Sequence, residues 1–342
     1  MIKIENDNLD GIADEYKKAI LYWLKYQKKK KKTSTWKDEF QIKIEDCNYG
    51  LFKDILKYVW RDIRTTIVSK PDELTKKIAN FNDKFTDRIN ESDKTLKSFE
   101  YLKVIMEDLY NRFFNQTLYK IPGTNKNKGS KEYEGYHYGA WLAQVLNINV
   151  CPYCNRQYTF TINSRTGKTR PQFDHFHPKS KHPYLALSFY NLVPSCPICN
   201  HLKGEKEIDI NPYYNHFGDD YIINLATKDR KDVNNFKPND WVLEKRNIDI
   251  TFSNGDENKN IKTFALKELY NKHIDYVEEI IDKAQAYNCT YYESLNNSYR
   301  GLNKLPADID RFIWGTYLEE AEHCKRPLSK LTRDILEQLE IK

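Results

Sequence analysis

Two short stretches, Cys151-Pro-Tyr-Cys154 and Cys196-Pro-Ile-Cys199, decide how the middle of the chain folds. Two residues between cysteines allow a tight turn in which both thiolates point at one ion. Two such turns supply the four sulfur ligands that a tetrahedral Zn²⁺ site prefers, so we predict a structural zinc ion. A site closed by four cysteines has no open position for water. This ion should therefore hold the fold and do no chemistry.

The composition indicates a globular chain. At about 100–200 residues per domain, its 342 residues give two or three domains. Charged residues make up 30% of the chain, but aromatic residues make up 14%, and disordered segments lack such large buriable side chains. No apolar run approaches the roughly 18 residues of a membrane-spanning helix. We therefore expect no membrane partner. The sequence also shows no export signal, so we expect a cytoplasmic location, where thiols stay reduced.

The N-terminal part of the chain shows the periodicity of helices. Apolar residues recur at helical spacing, so we expect residues 1–145 to form a helical region for assembly, partner binding or substrate binding. The Gly/Asn/Lys-rich stretch at 121–135 predicts an exposed linker. The lysine run from Lys28 to Lys32 could bind phosphate or act as a targeting signal. We favour a solvated loop or helix end, which is the usual setting of such a run.

The rest of the chain divides into a module and a second helical region. Residues 146–210 have short strand-like runs instead of helical periodicity, and they contain all four paired cysteines. Residues 211–342 are mainly helical, with a possible β-hairpin near 241–255. The predicted fold class is therefore mainly α with a small embedded α+β module.

A specific set of polar residues lies between the cysteine pairs and just after them. The set consists of Asp174, His175, Asn191, Asn200, Lys203 and Gly204. Their order and spacing resemble the HNH endonuclease family, the ββα-metal or His-Me finger nucleases, in its four-cysteine zinc subtype. The resemblance covers residues 151–207, about one-sixth of the chain. It implies a zinc-clamped ββα-metal HNH fold flanked by N- and C-terminal helical regions.

The resemblance also implies a role for most of these residues in phosphodiester hydrolysis. His175 is the general base that takes a proton from the attacking water, a task suited to an imidazole with a pKa of about 6.5. Asp174 and Asn200 supply oxygen ligands for a catalytic Mg²⁺ or Mn²⁺ ion, which prefers such donors. Asn191 ties the loop so that the histidine keeps its orientation.

Strand geometry limits how the site can form. Adjacent residues of a strand face opposite sides, so Asp174 and His175 can share a cleft only if the strand ends or bends at 174–176. The family does not usually have a histidine two residues after the base, where this chain has His177. We interpret His177 as a loop residue, with an extra phosphate contact and a substitute metal ligand as the alternatives.

The distribution of charge favours an anionic partner for the module. Residues 151–210 contain eight Lys and Arg against four Asp and Glu, so they hold +4 of the chain's net charge of +6. The candidate nucleic-acid contacts are Lys179, Lys181, Lys203 and His177. Such contacts to backbone phosphates do not depend on sequence. The resemblance makes DNA the more expected substrate, with RNA as the alternative.

A narrower resemblance concerns residues 173–196, which read FDHFHPKSKHPYLALSFYNLVPSC. With the large helical flanks, they resemble the HNH effectors of bacterial anti-phage systems of the Septu or retron-associated type. This resemblance implies a separately encoded ATPase partner. The chain itself has no Walker A motif, so we do not expect it to hydrolyse ATP. Two alternatives stay open, a stand-alone restriction-type nuclease and a non-catalytic zinc module that binds nucleic acid or protein. The second alternative has no need of Asp174, His175 and Asn200 together.

Overall fold

The computed structural model describes most of the chain, and helices dominate it. The predicted linker at 121–135 and the end of the lysine run, Lys31 and Lys32, lie outside the described residues. None of the described helices has both the length and the apolar character needed to cross a membrane. The structure describes residues 1–30, 42–118, 136–215, 217–233, 235–253, 255, 257–287, 289–300 and 306–341.

The mainly α architecture with a small embedded α+β module is confirmed. Antiparallel two-stranded sheets pair β1 with β2, β3 with β4, and β5 with β6. The strands are β1 Ile162–Asn163, β2 Lys168–Thr169, β3 Gln172–His175, β4 Leu192–Ser195, β5 Ile223–Thr227 and β6 Ile248–Phe252. The helices are α1 Leu9–Lys30, α2 Tyr49–Thr66, α3 Pro71–Asn90, α4 Asp93–Asn115, α5 Tyr138–Leu146, α6 Pro197–Lys203, α7 Pro238–Leu243, α8 Lys259–Thr263, α9 Leu266–Tyr270, α10 Ile274–Ala286, α11 Cys289–Arg300, α12 Pro306–Trp314 and α13 Ser329–Gln338.

The N-terminal helices are amphipathic, and their apolar faces contribute to the buried core. In α2 the buried residues Leu51, Ile55 and Val59 recur every four positions, which places them on one face of the helix. Helix α3 begins with Pro71. Proline suits the first helical position, because no hydrogen bond is lost there. Helix α4 begins after Ser92, whose hydroxyl accepts a backbone N–H of the first turn.

Strand β3 lies between two helices, and this position builds the site. Strand β3 ends at His175, within the range of 174–176 that the sequence predicted. Its pairing with β4 is nevertheless regular through both Asp174 and His175, so the strand does not bend to turn the two side chains toward one side. Because alternate side chains of a strand face opposite sides, β3 presents different residues to each helix. Phe173 meets Phe114 of α4, with ring centroids 5.5 Å apart. Asp174 meets Lys203 of α6 on the opposite side.

The C-terminal region corrects one prediction. The β-hairpin near 241–255 is wrong, because the stretch begins inside helix α7 and its described residues, 241–253 and 255, contain only one strand, β6. Strand β6 pairs antiparallel with β5, with Ile250 opposite Leu225, so its partner comes from earlier in the chain. Helix α7 forms because Pro238 occupies its first position and Asp240 accepts the Lys237 N–H. Strand-like residues alone did not identify the partner strand.

Asn155 ties the first cysteine turn to the C-terminal region. Its Oδ1 accepts the Lys330 N–H at 3.0 Å, and its Nδ2 donates to the carbonyl oxygen of His323 at 2.9 Å. Its own carbonyl accepts the Leu328 N–H at 2.6 Å. The side chain is completely buried, and the φ of 49° is one that Asn tolerates better than most residues. The module therefore packs against residues of the region 211–342, and the predicted domain boundaries stay a prediction.

Replacing Asn155 with Ala should lower the free energy of unfolding by about 3 kcal/mol. The change leaves two buried backbone groups without partners, at about 1–3 kcal/mol each, and puts a less suitable residue at a left-handed position. Urea denaturation followed by circular dichroism measures the loss. Asn163→Ala in β1 is the control and should change stability by less than about 0.5 kcal/mol. An Asn155→Ala protein as stable as the wild type would contradict this anchoring role.

Candidate active site and metal centre

Four cysteine sulfurs lie at the centre of the module. The Sγ atoms of Cys151, Cys154, Cys196 and Cys199 all lie within 4.8 Å of one another, and all four residues are buried. The Sγ atoms of Cys154 and Cys196 are 4.0 Å apart. Tetrahedral Zn²⁺ with Zn–S bonds of about 2.3 Å separates its sulfurs by about 3.8 Å. The cluster therefore has the ligands and the size that one zinc ion needs.

Local hydrogen bonds shape both cysteine turns. In the first turn, the Asn155 N–H donates to the carbonyl oxygen of Cys151 at 2.8 Å. In the second turn, Cys196 caps helix α6, and its sulfur accepts the Cys199 N–H at 3.4 Å. Pro197 then fills the first helical position, where no N–H is needed. The start of α6 thus places two of the four sulfurs.

The polar face of β3 lies against α6. Gln172 and Asp174 are two residues apart on the strand, and Asn200 and Lys203 are three apart on the helix, so each pair shares a face. The Asn200 Nδ2 donates to Gln172 Oε1 at 2.7 Å. The Lys203 Nζ lies 3.3 Å from Asp174 Oδ1 and 3.2 Å from Oδ2. The two predicted metal ligands are therefore on facing surfaces, but each already has a protein partner.

Asp174 is a buried carboxylate with two side-chain donors. The Tyr153 hydroxyl donates to its Oδ2 at 2.7 Å. The Lys203 ammonium, itself completely buried, also donates to the carbonyl oxygen of His175 at 2.6 Å. Burial raises the pKa of Asp174 although Lys203 and Tyr153 oppose this, and burial lowers the pKa of Lys203. Desolvation is the largest cause of both pKa shifts, and the attraction and hydrogen bonds between the two groups oppose it in each case.

The position of Lys203 changes two expectations. The predicted contact of Lys203 with nucleic acid is wrong, because its side chain is completely buried against Asp174. Its ammonium also offsets the negative charge of the carboxylate that was expected to bind the catalytic ion. Carboxylate and amide oxygens suit Mg²⁺ or Mn²⁺, so the donor types fit. An ion at this position must nevertheless share Asp174 with Lys203.

His175 lies on the other face of β3, against α4. Its ring meets that of Tyr110 edge-on, with centroids 4.8 Å apart. Its Nε2 lies 3.0 Å from the carbonyl oxygen of Ala186, and because a carbonyl can only accept, Nε2 carries the proton. In the neutral ring the lone pair is then on Nδ1. Burial lowers the pKa of His175 to about 3, so the imidazole is neutral near pH 7.

Asn191 is completely buried and holds the loop between β3 and β4. Its Oδ1 accepts the His177 N–H at 2.7 Å. Its Nδ2 donates to the carbonyl oxygens of His177 at 3.1 Å and of Leu185 at 3.2 Å. Leu185 directly precedes Ala186, whose carbonyl bonds to His175. The contacts of Asn191 therefore have the geometry of a residue that orients the histidine.

The other predicted nucleic-acid contacts have partners within the protein. Lys179 forms an ion pair with Glu107 of α4, and Lys181 forms one with Glu207 at 3.2 Å. Each lysine would have to leave its carboxylate to bind a phosphate. His177 is half-buried in the loop, and burial lowers its pKa to about 4, so it is neutral near pH 7.

Three contributors to the site were not identified from the sequence. They are the hydroxyl of Tyr153, the carbonyl of Ala186 and the ring of Tyr110. Tyr153 had a usable signal, because it lies inside the first cysteine turn, directly before the ligand Cys154. Ala186 acts through its backbone, and Tyr110 comes from a distant helix, so neither has a signal in the motif.

Comparison with known proteins agrees with this geometry. Residues 151–206 match the family model described as HNH endonuclease. The matched range contains both cysteine turns, the β3–β4 pair and helix α6. No curated protein and no solved structure matches the chain. The chain therefore contains an HNH endonuclease domain that covers about one-sixth of its length.

We expect about one zinc ion per chain, and we expect its removal to unfold the module. Structural zinc contributes on the order of 10 kcal/mol to folding, so Cys196→Ser should give zinc-free protein that is unfolded or insoluble. Metal analysis and thermal melting by circular dichroism measure both effects. Cys324→Ser is the control, because this partly buried cysteine lies outside the cluster and should leave the zinc in place. A well-folded Cys196→Ser protein without zinc would count against a structural ion.

Lys203→Met should lower the free energy of unfolding by about 3–5 kcal/mol, because it leaves the buried carboxylate of Asp174 without its cation. Urea denaturation measures the effect. Lys206→Met, at an exposed lysine just beyond α6, is the control and should be within about 0.5 kcal/mol of wild type. Adding Asp174→Leu to Lys203→Met should recover much of the loss, since no charge then stays buried. No loss in Lys203→Met would contradict the assigned ion pair.

Proposed function

Starting from the HNH endonuclease domain at residues 151–206, we propose that this protein is a metal-dependent endonuclease that hydrolyses phosphodiester bonds in nucleic acid, with His175 as the general base. The hydrogen bond from His175 Nε2 to the carbonyl oxygen of Ala186 carries this proposal. It fixes the ring and its tautomer, and so leaves Nδ1 as the proton acceptor. The domain match supports the reaction class.

The surroundings of His175 suit proton transfer from a water molecule. General-base catalysis requires a neutral, correctly oriented acceptor within hydrogen-bond reach of the attacking water. Burial keeps the ring neutral, and the Asn191 contacts hold the loop that carries Ala186. A ring with such a low pKa is a weak base in the free protein. An approaching phosphodiester anion favours the protonated imidazolium and so makes the ring a stronger base when substrate is bound.

We propose Asp174 and Asn200 as the protein ligands of a catalytic Mg²⁺ or Mn²⁺ ion. Such an ion, when bound, offsets negative charge on the phosphate and the leaving oxygen. The support is the contact of α6 with β3, which puts the two side chains on facing surfaces. Because Lys203 already neutralises the carboxylate, we expect weak ion binding to the free protein. Substrate phosphates commonly complete a magnesium site of this kind.

The biological role rests on sequence resemblance. The likeness of residues 173–196 to anti-phage HNH effectors supports a nuclease of a defence complex, with duplex DNA as substrate and a separately encoded ATPase as partner, in the cytoplasm. The helices outside the HNH domain supply surface for such a partner. An ATPase reading frame next to this gene would favour the defence complex. A solitary gene would favour a stand-alone restriction-type nuclease.

His175→Ala should reduce cleavage by about 100-fold or more, because general-base catalysis contributes about 10²–10⁴-fold. The assay incubates each protein with supercoiled plasmid, single-stranded DNA and total RNA, with Mg²⁺ or Mn²⁺. It is run with and without the candidate ATPase. Zinc content should match that of the wild type, since the imidazole is not part of the cysteine cluster. The melting temperature should fall, because the change leaves a cavity beside Tyr110 and removes the partner of the Ala186 carbonyl, so cleavage is assayed well below it.

His201→Ala is the matched control for this experiment. His201 is an exposed histidine on α6 in the same domain, and its loss should leave cleavage unchanged. Cleavage by His175→Ala at the wild-type rate would overturn the proposed mechanism. Equal loss in both variants would show that the effect does not come from the base.

A further inference from the structure

A strongly basic groove lies outside the HNH domain, between helices α2 and α3. It encloses a cavity of about 290 Å³. The rings of Tyr58 and Phe85 form part of its lining, and Asp54 contributes the one carboxylate. Its cationic lining residues are Lys57, Arg61, Lys84 and Arg88. The groove therefore places four positive charges around one cavity.

The four cations are arranged in a way that opposes helix stability. Lys57 and Arg61 are four residues apart on α2, and Lys84 and Arg88 are four residues apart on α3. Like charges at this spacing face each other one turn apart and repel. The two pairs also face a common cavity, which adds to the repulsion. Such an arrangement is relieved by an anion, so the groove suits an anionic ligand.

Three of the four cations have no ion-pair partner among the described residues. Arg88 pairs with Asp54 at 2.9 Å. Among the described residues, no carboxylate lies within ion-pair distance of Lys57, Arg61 or Lys84, and all three are exposed. The predicted phosphate contacts of the HNH domain, by contrast, are already paired with carboxylates. The groove thus has the available positive charge that the HNH domain lacks at those positions.

Aromatic rings support the cations of the groove. The Lys84 Nζ lies 5.3 Å from the Tyr58 ring centroid and 5.7 Å from that of Phe85. The guanidinium groups of Arg61 and Arg88 lie 5.8 Å from the centroids of Tyr58 and Phe85, respectively. These contacts hold the long side chains close to the groove, so binding orders fewer of them. Cations beside aromatic rings are also a common surface for nucleic-acid chains.

The same rings connect the groove to the loop that orients His175. Tyr58 meets Phe81 with centroids 6.1 Å apart, and Phe81 stacks on Tyr184 at 4.1 Å. Tyr184 lies in a 3₁₀ turn that ends directly before Ala186, whose carbonyl accepts the hydrogen bond from His175 Nε2. The groove and the proposed base are therefore joined by packed side chains and are not on unrelated parts of the molecule.

We infer that the groove between α2 and α3 binds the sugar-phosphate backbone of the nucleic acid that the HNH domain cleaves. This inference rests on the proposed nuclease function and assigns substrate binding to helices outside the matched family region. The contact is independent of base sequence, because it uses charge and not base edges. It positions the strand while His175 acts at one phosphodiester bond.

The experiment compares two double variants that each remove two charges, one from each helix. Arg61→Gln with Lys84→Gln changes the groove. Arg64→Gln with Lys76→Gln is the matched control, because these exposed residues lie on the same helices but outside the groove. Fluorescence anisotropy measures binding of a labelled duplex and a labelled single strand over a range of salt concentrations, without added divalent ions so that no cleavage occurs.

The groove variant should bind about tenfold more weakly, and its log–log salt dependence should be smaller by about 2, one for each lost phosphate contact. The control variant should stay within about twofold of wild type. Wild-type affinity in the groove variant, or equal loss in the control, would overturn the inference. Labelled poly-glutamate is measured in the same assay as a probe for an acidic protein partner. Weaker binding of poly-glutamate by the groove variant, with unchanged nucleic-acid binding, would also overturn the inference in favour of such a partner.

The two proposals fail in distinguishable ways. If the wild type binds nucleic acid through the groove but no condition gives cleavage that depends on His175, the nuclease mechanism fails and only nucleic-acid binding by the groove stands. If the wild type cleaves and the groove variant cleaves equally well at low substrate concentration, only the groove assignment fails. If the wild type binds none of the nucleic acids even at about 50 mM salt, both fail.

Discussion

The site depends on one constraint, which is that consecutive side chains of strand β3 face opposite sides. Its side chains alternate, so Asp174 points toward α6 and the cysteine cluster while His175 points toward α4. The two cysteine turns place α6 on one side, and the aromatic side chains of α4 close the other. Neither helix alone would position both residues. The proposed base and Asp174, one of the two proposed ion ligands, are thus adjacent in sequence but belong to different environments.

The positions of the available positive charges in the structure differ from those that the sequence suggested. The excess of basic residues in 151–210 suggested a basic cleft at the HNH domain. In the structure Lys203 is buried against Asp174, and Lys179 is paired with Glu107, which lies outside that stretch. The more available cations are on α2 and α3, such as Lys84, where helical spacing and aromatic contacts bring them together. Ion pairing depends on tertiary neighbours, so counting charges along the chain could not show it.

The parts of the fold that were predictable are those with local causes. Helical periodicity, the two cysteine turns and the end of β3 at His175 follow from residues close in sequence. The supposed hairpin near 241–255 failed because the partner of β6 is set by packing and not by a local turn. The contacts of Asn155 with the C-terminal region also join residues far apart in the chain, and no motif indicates them.

The sequence by itself determined the kind of chemistry, because four cysteines at fixed spacing and an Asp-His-Asn set supply the same types of donor atom whatever their tertiary surroundings. Only the tertiary structure decided the state of those donors. The backbone carbonyl of Ala186 accepts a hydrogen bond from His175 Nε2 and so sets the tautomer of the ring, and the buried ammonium of Lys203 offsets the charge of Asp174. The physical reason is that charge, tautomer and accessibility are set by neighbours within a few ångströms. Those neighbours come from helices that the motif does not contain.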